Sequence, residues 1–214
     1  MYRLRLTFAR DERLKFIGQL DMARTWERAI RRAGLPLAYS HGFNPRPRMQ
    51  FASALPLGCT GEAEMLDLWL ETAVLPDSVA QALAPVLPAG LSLRRVEPVP
   101  LKAPALPTQI VASIYRVTVE GPMDEAQVRR RVADLLAADR IPRRRRGKAY
   151  DLRPLIESLE VVEVTPEGAT LRMRLAAGDR GTGRPDEVLD ALEWGDRLAW
   201  IHRERIALRG QRES

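Results

Sequence analysis

The sequence predicts an α+β chain of two tandem ferredoxin-like units, each a βαββαβ run that folds into an antiparallel sheet. Three observations predict it. Stretches in which apolar and polar residues alternate are followed by stretches with apolar residues every three or four positions. The order of these stretches is nearly the same on the two sides of residues 98–108, PVPLKAPALPT. That segment carries Pro98, Pro100, Pro104 and Pro107, a density that blocks helix and sheet and stiffens the chain. The expected division is residues 1–97 for the first unit, 98–108 for a proline-rich linker and 109–214 for the second unit. The halves share little sequence, so the repeat is one of element order.

In the first half, YRLRLTFAR (2–10) alternates and reads as a strand. In DMARTWERAIRRAG, Met22, Trp26, Ile30 and Ala33 fall on one helical face, with Asp21 as expected N-cap and Gly34 as the stop. RMQFAS (48–53) and MLDLWLE (65–71) read as strands. PDSVAQALAPVL is a short helix with Val79, Leu83 and Val86 aligned, and LSLRRVE (91–97) is a closing strand. Glu62, Glu64, Asp67 and Glu71 are expected as solvated positions around the third strand, and Cys59 in a turn.

The second half runs likewise. SIYRVTVE (113–120) is a strand. MDEAQVRRRVADLLAAD is a helix with Val128, Val132 and Leu135 aligned. SLEVVEVTPEGATLRMRL reads as a hairpin turning at 166–168. RPDEVLDAL is a helix with Pro185 in its first turn, and RLAWIHRERIAL is a last strand.

Composition narrows the function. Of 214 residues, 45% are hydrophobic, enough for a core and against global disorder. No apolar run approaches the roughly 20 residues that span a bilayer, and the N-terminus lacks the apolar block of a signal peptide. The expectation is a soluble cytoplasmic protein with no membrane partner. One cysteine excludes an internal disulfide or a Cys-rich zinc site, and two distant histidines suggest no metal site. No cofactor is expected. The net charge of +6 favours a polyanionic partner.

Three segments could meet a polyanion. The first is YSHGFNPRPRMQF (39–51). Gly42, Pro45 and Pro47 force a non-helical connection. Phe43 and Phe51 are expected beneath the loop, with Tyr39, His41, Arg46 and Arg48 facing outward. Arginines beside aromatic rings suit RNA, because guanidinium groups bind phosphate and rings stack on unpaired bases. The second is the basic loop 140–148, with Arg140, Arg143, Arg144, Arg145, Arg146 and Lys148 and no acidic residue. Four consecutive arginines cannot all be buried with their charges unpaired, and they offer bidentate phosphate geometry. The third is GDRGTGRPDEV (178–188), a glycine-rich helix start where Arg180 and Arg184 would assist anion binding. It matches neither a P-loop nor a dinucleotide fingerprint. The expected nucleic-acid contacts are thus Tyr39, Arg46, Arg48, Arg143, Arg144, Arg145, Arg146, Lys148, Arg180 and Arg184.

Two resemblances add to this reading. GFNPRPRMQFASALPLG (42–58), Leu66 and Asp67 in the following strand, GTGRPDEVLDAL (181–192) and HRERI (202–206) resemble an uncharacterised family of radical-SAM-linked proteins. The similarity runs over essentially the whole chain. It implies a stand-alone member without the radical-SAM half, since one cysteine cannot hold an iron–sulfur cluster. It also implies an accessory protein working beside a separately encoded radical-SAM partner. The combined expectation is a non-catalytic RNA-binding protein that presents tRNA, ribosomal RNA or a ribonucleoprotein. The tandem architecture and His41 also resemble metal-independent CRISPR RAMP-type endoribonucleases. In that alternative His41, near Tyr39, acts as general acid or base on a ribose hydroxyl, and arginine stabilises the phosphate. A third reading is a protein-docking module for the radical-SAM partner that never touches RNA.

Overall fold

The computed structural model describes residues 1–145, 147–178 and 181–210. The alternation of YRLRLTFAR dictates the first strand, β1 (Tyr2–Arg10), with Leu4, Leu6 and Phe8 buried on one face. It is followed by α1 (Gln19–Arg32), β2 (Met49–Phe51), β3 (Cys59–Leu70), α2 (Pro76–Leu83) and β4 (Leu91–Val99). These belong to a unit spanning Met1–Gln109. The strands lie in the order β4-β1-β3-β2, and every pair is antiparallel. Leu4, Leu6 and Phe8 meet Leu66, Leu68 and Leu70 of β3 and the buried face of α1, Met22, Trp26 and Ile30. Phe8 and Trp26 stack edge to face with centroids 4.9 Å apart.

Helix α1 begins three residues earlier than its sequence signals indicate. Gly18 is the N-cap, and Asp21 lies inside the first turn. A carboxylate there still opposes the positive end of the helix dipole, so the signal was shifted rather than absent. Gly34 ends the helix at φ +66°, where the chain needs a left-handed residue to turn back. Cys59 opens β3 and is buried, not held in a turn.

Residues 98–108 do not hang free between the units. Pro98 and Val99 complete β4, and Leu106–Gln109 form a single 3₁₀ turn. Leu106 is wholly buried, and its amide donates to Gln50 Oε1 at 3.0 Å. Proline does not prevent this, because the segment pairs through its carbonyls and through the non-proline amides between.

The unit spanning Ile110–Ser214 contains β5 (Ile110–Glu120), α3 (Glu125–Ala137), β6 (Pro142–Arg145), β7 (Lys148–Asp151), β8 (Ile156–Thr165), β9 (Gly168–Ala176), α4 (Pro185–Ala191) and β10 (Ala199–Leu208). Its sheet runs β10-β5-β9-β8, again antiparallel throughout. Val117, Val119, Leu171, Met173 and Leu175 from the sheet pack with Val128, Val132 and Leu135 of α3 and with Val188 and Leu189 of α4. Asp124 caps α3, its Oδ1 accepting from the Gln127 amide at 2.9 Å. At the β8–β9 turn, a Cβ on Gly168 would lie 2.4 Å from the Val119 carbonyl oxygen, so only glycine lets the hairpin close against β5. Among the described residues the chain is α+β, with antiparallel sheets and four α-helices.

Candidate nucleic-acid interface

The segment 39–51 is built on a stem stitched to β3. The Ala38 amide donates to the Trp69 carbonyl at 2.8 Å, and the Trp69 amide donates to the Arg48 carbonyl at 3.0 Å. The Arg48 amide closes the stem on the Ala38 carbonyl at 2.8 Å, and Tyr39 bridges Pro47. Above it, Ser40–Arg46 projects as a loop in which every residue is exposed. Its base is tied twice: the Ser40 amide donates to the Arg46 carbonyl at 2.8 Å, and the Arg46 amide donates to Ser40 Oγ at 2.9 Å.

This geometry divides the residues expected to act together. Arg46 and His41 stand on the exposed loop. Tyr39 does not join them, because its ring packs against the core of the first unit as part of the stem. Arg48 is half-buried; its guanidinium lies 5.5 Å from the Trp69 ring centroid and its Nη1 approaches Met1 Sδ at 3.1 Å. Phe51 is under the loop and meets Phe8 edge to face at 6.4 Å. Phe43 is not: its side chain is 106% exposed, at the loop tip. His41 stands on this exposed loop with no hydrogen-bond partner among the described residues.

Beside this stem lies a group that the sequence did not mark. Asp67, expected as solvated, is 0% exposed. Arg3 Nε and Nη2 donate to its Oδ2 at 3.0 and 2.7 Å. Arg5 Nε donates to Oδ1 at 2.7 Å and Nη2 to Oδ2 at 3.1 Å. The remaining Arg3 donors reach the carbonyls of Ala103 and Pro104 at 2.7 and 2.9 Å, so the proline-rich segment is held by the same guanidinium. Two cations approach the Trp69 ring, Arg3 at 4.9 Å and Arg48 at 5.5 Å from its centroid. Glu64 is likewise buried, whereas Glu62 and Glu71 are solvated as expected. The available signal was the alternation itself. Arg3 and Arg5 occupy the strand positions opposite to Leu4 and Leu6, and Asp67 is directly across from Arg5.

The basic segment is a two-stranded hairpin rather than a loop. Arg143 faces Tyr150, Arg144 faces Ala149, and Arg145 faces Lys148. Strand alternation sends its arginines to different surroundings. Arg143 is turned inward: its Nε lies 3.9 Å from Glu187 Oε2 and is buried without a hydrogen bond. Arg144, Arg145 and Lys148 are exposed and form no salt bridge among the described residues. Arg140 reaches Asp151 only at 3.7 Å. Arg146 lies outside the described residues.

Two titrating groups hold the hairpin to its unit. Burial pushes the Tyr150 phenol above its ordinary value; the Glu187 carboxylate adds to this, while Arg145 and Arg143 oppose it. The Asp151 carboxyl is held below the usual range, first by the Ile141 amide and then, against the opposing effect of desolvation, by the Arg153 amide and Arg140. The two amides donate to its Oδ1 at 2.8 and 3.0 Å.

At the glycine-rich start of α4 the expected cation is paired within the chain. Arg184 binds Asp186, Nη2 to Oδ2 at 2.8 Å and Nε to Oδ1 at 2.9 Å. Asp186 and Glu187 place carboxylates in the first turn of α4, and the Arg184 guanidinium is paired with the first of them. Arg180 lies outside the described residues. Among the described residues no group of His, Cys, Asp and Glu side chains is placed to hold a metal, and no helix is long and apolar enough to cross a membrane.

Comparisons with known proteins place the chain. A family model covers residues 3–185, and the chain belongs to that bacterial family, described as "Uncharacterized protein conserved in bacteria (DUF2344)". No curated protein matches the sequence. Among solved structures it is similar in fold to the archaeal box H/ACA sRNP Nop10–Cbf5 complex (TM-score 0.52, 10% identity, 98% of this chain and 50% of that one). It is also similar to a Cbf5–Nop10–Gar1 complex (TM-score 0.55, 9% identity, 97% and 50%). A third is an H/ACA RNP bound to a substrate RNA containing 2′-deoxyuridine (TM-score 0.52, 9% identity, 96% and 49%). This chain spans about half the length of those it matches. At such identities the likeness is one of fold.

Proposed function

We propose that this chain is a non-catalytic, RNA-binding accessory protein built from two ferredoxin-like units. In this reading it presents RNA (tRNA, ribosomal RNA or a ribonucleoprotein) to a separately encoded radical-SAM partner. The observation that carries the RNA reading is the β6–β7 hairpin, which holds Arg144, Arg145 and Lys148 in solvent with no salt bridge among the described residues. Guanidinium groups left unpaired on a hairpin keep their full attraction for phosphate, and their release of counterions makes binding salt-sensitive. The loop carrying Arg46 adds a second cationic surface. Strand orders β4-β1-β3-β2 and β10-β5-β9-β8, with helices between, support the ferredoxin-like reading. Similarity of fold to chains from H/ACA ribonucleoproteins is consistent with RNA as the partner. The radical-SAM context rests on the sequence resemblance. The test is a salt titration of RNA binding by the full chain. Affinity is expected to fall steeply between about 50 and 200 mM salt. Equal, weak affinity at both would remove the reading.

A further inference from the structure

An exposed phenylalanine is by itself ordinary on a protein surface. Phe43 differs in its mounting. Its side chain is 106% exposed, yet the loop that carries it is closed by two hydrogen bonds at Ser40 and Arg46, and its stem is stitched to β3. Pro45 and Pro47 fix two further backbone angles. The ring therefore stands in water on a loop whose two ends are tied, so fixing it on a partner costs less conformational entropy than an untethered loop would. The same loop carries His41, Asn44 and Arg46, all exposed. The stretch from Ala38 to Gln50 has no carboxylate, and Arg46 makes no salt bridge among the described residues.

A ring displayed on one loop with a cation and hydrogen-bonding side chains suits a partner with flat faces and negative charge side by side. An unpaired nucleotide has both; a buried apolar side chain of another protein has neither charge nor hydrogen-bonding groups. Base pairs in a duplex offer no free face to a projecting ring, whereas single-stranded RNA does. We infer that Phe43 is a stacking platform for an unpaired base of RNA, with Arg46 on the adjoining phosphate. This rests on the RNA-binding reading and narrows it to single-stranded or looped segments.

The experiment uses the full chain with a short single-stranded RNA carrying 2-aminopurine, and the same sequence as a duplex. The parent protein is expected to bind the single strand more tightly and to change the 2-aminopurine fluorescence on binding. Phe43→Ala is expected to weaken single-strand binding about tenfold or more and to abolish the fluorescence change. Duplex binding should hardly move, and Phe43→Tyr should retain parent behaviour. Because the side chain touches no core residue, circular dichroism of Phe43→Ala should match the parent. If the parent binds RNA but Phe43→Ala binds the single strand equally well, the stacking role is overturned and RNA binding stands. If the parent binds neither RNA, both readings fall together.

Discussion

Arg3 and Arg5 in β1 and Arg144 and Arg145 in β6 are the same side chains on the same kind of element, yet they do opposite things. The first pair is buried, and its donors are taken by Asp67 and by two carbonyls of the proline-rich segment. The second pair stands in water with no salt bridge among the described residues. A count of arginines along the chain favours the hairpin as the electrostatic feature, and it overlooks the more tightly held pair. What separates them is the strand opposite. β3 offers a carboxylate across from Arg5, while β7 offers Ala149 and Lys148. Buried guanidinium groups then serve the fold, and unpaired exposed ones remain available to a ligand.

The contrast can be broken first at Asp67. Asp67→Ala leaves two guanidinium groups buried without their anion and should cost about 3–5 kcal/mol. Urea denaturation of the full chain would read this, and an unchanged midpoint would mean the buried pair is not coupled to folding. Replacing Arg3, Arg5 and Asp67 together by apolar residues of similar volume should recover most of that loss, because no charge is then stranded. Leu106→Ala tests whether the proline-rich segment belongs to the first unit. It should destabilise by about 2–5 kcal/mol, whereas a true linker would tolerate it with no measurable shift.

Smaller effects are expected at the hairpin. The triple change Arg144→Ala, Arg145→Ala and Lys148→Ala should leave stability within about 0.5 kcal/mol of the parent. On single-stranded RNA it should lower the slope of log affinity against log salt by about 2, since each cation contributes roughly 0.7. An unaltered slope would place the RNA contact elsewhere. The least effect concerns acid. Asp151 has a folded pKa below its unfolded value of about 3.9. Its stabilising hydrogen bonds are therefore fully present above that unfolded value and are lost as pH falls through the folded pKa. Asp151→Asn should flatten the acid limb of hairpin stability, followed by amide resonances of Ile141 and Arg153. A variant as acid-sensitive as the parent would remove Asp151 from that role.

The strands and helices were largely legible because each has one apolar face with a clean period. Tyr2–Arg10, the aligned Val128, Val132 and Leu135, and the hairpin turn before Gly168 fall where the alternation puts them. The start of α1 was displaced because an acidic first turn imitates a cap. The site was less legible. His41 and Tyr39 are two residues apart in sequence but separate into an exposed loop and a core-packed stem. Arg184 reads as a free cation until Asp186, two residues on, is seen to fold back onto it.

The sequence by itself determined the order of elements, the apolar faces that form each core, and the surplus of positive charge, because all three are properties of neighbours along the chain. The tertiary structure alone decided which charges are free. That choice depends on cross-strand register, which sets Asp67 opposite Arg5, turns Arg143 toward Glu187 and leaves Arg144 in solvent.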